Sequence, residues 1–419
     1  MHPHGANARA WAEIDLDALA SNLAVIRQRA GAGVRVMLVV KADAYGHGAV
    51  TIARHAVRCG VGALGVGTSA EALELRSAGL DLPILVLGTI VDSEVRPCLE
   101  HGIHIGLHTT DRCQNLAQLA ASLGLVARVH LNIDTGMGRL GVPPALALDL
   151  LREVRDSEHM QIEGIMTHVA SPDGGLDPDT GEQIRTYQDL IHAAQADGLA
   201  RGWIHVANSA CLFTGVGIGD TVRPGIAAYG ALPPHLPGAS DLRPVMSLRS
   251  QIVMLKDIQA GTPVGYGSTW RAAHNTRIAT LAIGYADGVP WALSNKGEVL
   301  VRGQRAPIVG RVSMDYVTVD VGAIDGVRVG DEATIFGTSM GSELPLAEVA
   351  RVAGTIPYEL TCTVGPRVER VVVGGEDVSL PAQPADANAP RDPLPRASEH
   401  RESAPNGMSN KQGGQVPTR

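Results

Sequence analysis

The stretch Val36-Met37-Leu38-Val39-Val40-Lys41-Ala42-Asp43-Ala44-Tyr45-Gly46-His47-Gly48 decides how the rest of the chain is read. An apolar run with no polar alternation forms a strand buried on both faces, as in a parallel sheet covered by helices. Lys41 follows that run directly and so stands at the strand's C-terminal end. In a barrel of βα units, that end faces the active site. There Lys41 is either a desolvated nucleophilic amine suited to Schiff-base chemistry or a strand-end lysine reaching solvent. Gly46 and Gly48 let backbone approach a ligand closely, and Tyr45 adds a phenol.

The same theme repeats at Ala63–Gly67, Ile84–Leu87, Ile103–Gly106, Ala127–Ile133, Ile162–Thr167 and Trp203–Val206, with Thr221–Ala228 as an eighth strand. Helical stretches separate them. One is expected to start on Ser69 as N-cap and stop at Gly79; another opens on a Thr180-x-x-Gln183 capping box and stops at Gly198. Eight βα units predict an N-terminal (β/α)8 TIM-type barrel over residues 15–240. No G-x-G-x-x-G follows a strand, which argues against a dinucleotide fold.

Beyond residue 240 the texture changes to short β-branched runs at Val245–Leu255, Arg277–Ile283, Glu298–Val301, Ala306–Val309, Val317–Val321 and Ala333–Phe336. Leu346–Ala353 alone reads as helical. Residues 241–376 are therefore expected to form a mostly β domain. Residues 1–14 carry an alternating strand segment expected to pack with it. Residues 377–419, rich in proline and poor in large apolar side chains, read as a disordered tail.

The 419 residues carry a net charge of −8, which excludes a non-specific nucleic-acid binder. No apolar run approaches the ~20 residues that span a bilayer. No apolar leader is visible, so a cytoplasmic location is expected. Cys59, Cys98, Cys113, Cys211 and Cys362 are scattered; they form no disulfide framework and no zinc spacing, and read as small buried hydrophobes with no metal site.

Other strand ends carry ligand-type residues. Arg139 lies in Asp134-Thr-Gly-Met-Gly-Arg139-Leu-Gly and could clamp a carboxylate. His168 follows the strand ending at Thr167 and could stack on a planar ligand. Asn208 and Ser209 follow Trp203–Val206 and could bond a phosphate. Arg223 ends Thr-Val-Arg223-Pro-Gly225. Each alone reads equally as an ordinary surface or satisfied polar residue; together they point to one site. Tyr266, flanked by glycines in Val-Gly-Tyr266-Gly-Ser-Thr, leaves its phenol uncovered for acid–base work.

These motifs together resemble bacterial alanine racemase, a fold-type III enzyme that uses pyridoxal 5′-phosphate. The likeness runs from about Trp11 to Val373 and includes Val-Val-Lys41-Ala-Asp-Ala-Tyr45-Gly-His-Gly, Gly284-Tyr285-Ala-Asp-Gly288, Gly310-Arg-Val-Ser-Met314-Asp315 and Val222-Arg223-Pro-Gly225-Ile226-Ala-Ala-Tyr-Gly230. The resemblance implies that Lys41 holds the cofactor in Schiff-base linkage, with Tyr45, Ser209, Gly225 and Ile226 at its phosphate and Asn208 nearby. It implies His168 against the ring, Arg223 facing the pyridine nitrogen, and Arg139 on the substrate carboxylate. Tyr266, Tyr285, Met314 and Asp315 would serve substrate from the β domain of a second subunit in a homodimer. Lys41 would handle the α-proton of the D-isomer and Tyr266 that of the L-isomer.

Two positions depart from the resemblance. Asn132 stands seven residues before Arg139, where many members carry a carbamylated lysine; a bound chloride near Asn132 and Arg139 is the expected substitute. Val372 ends Arg367-Val-Glu-Arg370-Val-Val372, where a phosphate-binding tyrosine is expected, so weaker cofactor retention follows. The other readings are a broader serine racemase, a cofactor-dependent decarboxylase, whose signatures are absent, and a non-enzymatic pyridoxal-phosphate-binding protein, which would lack the β domain.

Overall fold

The computed structural model describes residues 8–171 and 177–376; the tail expected over 377–419 lies outside the described residues. The chain opens with β1 (Ala10–Asp15) and a helix over Leu16–Ala30, started by Asp15 Oδ1, which accepts from Ala18 N at 2.8 Å. Eight strands follow: β2 (Arg35–Val39), β3 (Ala63–Val66), β4 (Ile84–Val86), β5 (His104–Leu107), β6 (Ala127–Ile133), β7 (Met160–Thr167), β8 (Trp203–His205) and β9 (Thr221–Val222). They pair in parallel in the order β8-β7-β6-β5-β4-β3-β2-β9. Sequence order and spatial order coincide, as right-handed βα crossovers require. At the seam between β8 and β9, Asp220 N donates to Ile204 O at 3.1 Å and Arg223 N to Ala207 O at 2.7 Å. The result is a nearly closed barrel with helices outside, as the strand count predicts.

Two helix starts differ from expectation. Thr68, not Ser69, caps the helix Ser69–Ser77, because Thr68 and Glu71 complete a reciprocal capping box. Asp177, not Thr180, caps Pro178–Ala196, and Gln183 accepts from Ala170 N instead. The Asp177 carboxylate outcompetes the Thr180 hydroxyl because Pro178 fixes the first helical position.

A nine-stranded sheet takes β1 together with β10 (Met246–Ile258), and β11 (Pro263–Val264) and β12 (Trp270–Arg271) form a small ribbon beside it. The sheet adds β13 (Thr276–Leu281), β14 (Glu298–Val301), β15 (Gln304–Pro307), β16 (Val317–Asp320), β17 (Glu332–Ser339), β18 (Ser342–Leu344) and β19 (Glu369–Val373). β1 lies antiparallel to β10 and parallel to β19. Besides Leu346–Ala353, the segment Pro357–Cys362 is also helical, with Pro357 at its first turn. Of the cysteines, Cys362 is exposed and the other four are buried, so the uniform buried reading holds for four only.

The barrel interior is unusual in composition. Met37, Ala63, Leu85, Met166 and Trp203 form a small apolar cluster, yet His104, His130 and His205 are buried beside it. The outward faces of the strands join one large core with the surrounding helices and the β sheet.

Candidate functional site

The C-terminal ends of the barrel strands enclose a cavity of about 320 Å³, lined by Lys41, Tyr45, Asn132, Arg139, His168, Asn208, Ser209, Arg223, Gly225 and Ile226, with Tyr358 added from the helix Pro357–Cys362. Lys41 is exposed at its mouth.

Lys41 begins a turn with a backbone that the sequence did not announce. Ala42, Asp43, Ala44 and Tyr45 all lie at φ between 52° and 55°. Each L-residue held in that left-handed region costs roughly 1–2 kcal/mol, so the turn is strained and held by its surroundings. Ala42 N donates to Glu71 Oε1 at 2.7 Å, Ala49 N to Asp43 Oδ1 at 2.7 Å, and Arg370 Nε to Gly46 O at 3.1 Å. Gly46 has no room for a side chain: a Cβ there would stand 2.1 Å from Thr361 O.

Tyr45 packs between Tyr229 and Tyr358, with ring centroids 4.9 and 6.2 Å away. Burial, then Tyr358 and Cys362, push its hydroxyl well above the usual range, so it stays protonated as a donor. Among the described residues that hydroxyl has no hydrogen-bond partner. A Cβ on Gly225 would lie 2.3 Å from it. Ser209 Oγ accepts from Gly225 N at 2.9 Å and Ala227 N at 3.2 Å, which leaves its own hydrogen free to donate. Tyr45, Ser209 and the bare Gly225 thus make one end of the cavity a donor-rich cradle that fits a phosphate. Asn208 is spent differently: its Oδ1 caps the following turn by accepting from Cys211 N at 3.0 Å.

Arg223 is buried and faces no carboxylate among the described residues. It donates to His205 O at 2.6 Å, Thr167 O at 2.8 Å, Val206 O at 3.0 Å and His205 Nδ1 at 3.1 Å, with His168 Nδ1 at 3.5 Å. Burial brings the guanidinium down to about 10, and it remains a cation at neutral pH. His168 is held at about 3 by burial and by Arg223, Arg139 and Lys41, so its ring is a neutral face toward the cavity.

Asn132 sits beside Arg139 on the cavity wall. Its Nδ2 donates to Leu140 O at 2.9 Å and to His108 Nδ1 at 3.2 Å, while His108 Nε2 donates to Gly88 O at 3.1 Å. Burial keeps His108 neutral. Both amide hydrogens of Asn132 are used, so Asn132 has no donor to spare for an anion in the cavity.

Tyr266, Tyr285, Met314 and Asp315 do not line this cavity. Tyr266 is 73% exposed, and Tyr285 and Met314 are exposed as well. They occupy neighbouring loops: Gly265 packs on Arg311, and Tyr285 N donates to Ser313 O at 3.0 Å. Asp315 is paired with Arg367 at 2.9 Å, so its carboxylate is engaged within the chain. Val372, expected where a phosphate-binding tyrosine belongs, lies in β19 opposite Ile14 of β1, half exposed and away from the cavity. The tyrosine at the cradle is Tyr358 instead. Its signal was a Pro-Tyr pair opening a short helix, which a search for Arg-x-x-Arg-x-Tyr passes over. Among the described residues no cluster of His, Cys, Asp or Glu could hold a metal ion, and no helix is long and apolar enough to cross a membrane.

Residues 14–233 match the family of the alanine racemase N-terminal domain and residues 245–372 that of the alanine racemase C-terminal domain. The alanine racemase of Geobacter sulfurreducens is 41% identical over 371 residues, spanning 86% of this chain and 96% of its own. That of Desulforamulus reducens is 42% identical over 369 residues, 87% and 99% of the two chains. Among solved structures, alanine racemase from D-cycloserine-producing Streptomyces lavendulae superposes with a TM-score of 0.82 at 35% identity, over 88% of this chain and 98% of that one. Alanine racemase from Bartonella henselae, with covalently bound pyridoxal phosphate, gives 0.79 at 30% identity over 87% and 100%. A nearly closed barrel with a lysine at its mouth, a mostly β partner sheet, and likeness over nearly the full length of these enzymes put the chain in the alanine racemase family of isomerases.

Proposed function

We propose that the chain is a pyridoxal-5′-phosphate-dependent racemase interconverting L- and D-alanine, with Lys41 and Tyr266 as the two proton-transfer groups. The observation that carries this reading is the convergence of Lys41, Tyr45, Arg139, His168, Ser209 and Arg223, from five strand ends, on one cavity. When bound, the cofactor supplies the electron sink that makes an amino acid's α-proton removable. Lys41 would carry the group and move the α-proton on one face. Tyr45 and Ser209 would donate to its phosphate beside Gly225 and Ile226, and Tyr358 closes that end. His168 would pack against the ring as a neutral imidazole. Arg223 would face the ring nitrogen with its Nε–H, which its bonds to His205, Thr167 and Val206 leave unspent, and it has no lone pair to accept a hydrogen, which disfavours a proton there. Arg139 would pair with the substrate carboxylate.

Racemisation needs a second group on the opposite face; among the described residues the phenols lining the cavity are Tyr45 and Tyr358, both assigned to its phosphate end. Tyr266 stands exposed on the β domain, as do Tyr285 and Met314 on loops of the same domain. This exposed set supports a homodimer in which each chain's Tyr266 completes the other's cavity.

The test is incubation of the purified protein and pyridoxal phosphate with a panel of L-amino acids, followed by chiral chromatography. D-alanine forming fastest supports the reading. Faster D-serine would assign a broader racemase, and the absence of any D-product would overturn it.

A further inference from the structure

We propose that His47 is a positioning residue whose Nδ1–H holds the left-handed turn at Ala44 and Tyr45, and thereby sets Lys41 and Tyr45 for the cofactor. The inference rests on the pyridoxal-phosphate reading of the cavity. Nδ1 lies 2.9 Å from Ala44 O and 2.9 Å from Tyr45 O. Both partners are acceptors, so Nδ1 carries the hydrogen and the tautomer is fixed. Nε2 is then a bare lone pair, and it is buried without a partner among the described residues. A buried unpaired nitrogen is unfavourable, and the ring is retained because its other nitrogen has work at the turn.

The remaining supports act at the edges. Glu71 holds Ala42 N, Asp43 turns back to Ala49 N, and Arg370 reaches Gly46 O. Among the described residues, His47 is the side chain that bonds carbonyls of the left-handed residues themselves. Its ring is seated 4.6 Å from Tyr229, whose other neighbour is Tyr45 at 4.9 Å. Burial pulls His47 down to about 4, so at neutral pH the ring is neutral and its single hydrogen sits on Nδ1. The turn has no glycine at its four left-handed positions, so it depends on such a clamp.

Asparagine and glutamine separate a clamp from mere packing. His47→Asn places an amide nitrogen where Nδ1 stands; His47→Gln places it near Nε2. The full chain is stripped of cofactor and titrated with pyridoxal phosphate by absorbance, with the thermal midpoint of each apoprotein as control. His47→Asn should bind within about threefold of the wild type, and His47→Gln about tenfold more weakly, the worth of one hydrogen bond. Adding Ala42→Gly, which removes the conformational penalty at one left-handed position, should recover part of the loss in His47→Gln. Equal losses in the two variants, or no recovery with Ala42→Gly, would overturn the proposal. If His47→Gln does not fold, amide exchange at Ala44 and Gly48 in His47→Asn and wild type replaces it: preserved protection supports the clamp, and lost protection overturns it. If the wild type itself binds no pyridoxal phosphate, the functional reading fails. The clamp is then judged on exchange alone, with protection kept in the asparagine variant and lost in the glutamine variant as its expected result and equal protection as its refutation.

Discussion

Arg223 Nη1 lies 3.1 Å from His205 Nδ1, and that pair sets the hydrogens of three buried rings. A guanidinium cannot accept, so His205 Nδ1 accepts and Nε2 carries the hydrogen. Nε2 then donates to His130 Nδ1 at 3.0 Å, and His130 Nε2 to His104 Nδ1 at 3.1 Å. Burial lowers all three, so they are neutral and share one tautomer. Nitrogen NMR at pH 7 should find Nε2–H in each. His130→Leu strands a donor on His205 and an acceptor on His104. A loss of about 2–4 kcal/mol in denaturant unfolding follows, and an unchanged midpoint would contradict the chain of bonds.

Buried histidines at the site and inside the barrel set an acid limit. His47 and His104 lie at about 4 and His168 at about 3 in the folded chain, against about 6.5 unfolded. These values are depressed, so the unfolded chain binds more protons as pH falls below 6.5. Stability is full above that pH and declines toward pH 4, at about 1.4 kcal/mol per pH unit for each histidine. Urea midpoints measured from pH 7 to pH 4 should fall steadily; a flat profile would show the rings to be exposed.

Gly225 is needed for space. A Cβ there would stand 2.3 Å from the Tyr45 hydroxyl, and Tyr45 is wedged between two other tyrosines. Gly225→Ala should cost about 1–2 kcal/mol of stability through overpacking and weaken pyridoxal phosphate binding by about tenfold or more. Absorbance titration reads the second effect and thermal melting the first.

Tyr358 and Val372 make opposite predictions. Tyr358→Phe removes a hydroxyl at the cradle and should weaken cofactor binding several-fold, about 1 kcal/mol. Val372→Tyr changes an exposed position on β19 and should leave cofactor binding unaltered. Titration of both variants side by side distinguishes this assignment from one that places the cradle tyrosine at residue 372.

Much of the fold was legible because buried parallel strands announce themselves as short apolar runs. Val36–Val40 and Ile84–Leu87 needed no partner to be recognised. The strand ends also located Lys41, Arg139, His168 and Arg223, because polar residues after such runs have only one place to go. The left-handed turn was hidden, since alanine and aspartate carry no mark of positive φ when neighbours impose it. Tyr358 was hidden too, because it reaches the cavity from a short helix far along the chain, and only tertiary packing on Gly46 and Tyr45 brings it there. The histidine chain inside the barrel was invisible because His104, His130 and His205 read as ordinary strand residues until the strands align.

In the proposed reaction, Lys41 of one chain works with Tyr266 of another. Mixing two inactive variants, Lys41→Ala and Tyr266→Phe, under conditions that exchange subunits, and measuring D-alanine formed from L-alanine tests this pairing. Random pairing makes about half the dimers mixed, each with one intact site, so about a quarter of wild-type activity is expected. A mixture no more active than its separate components would contradict the shared site.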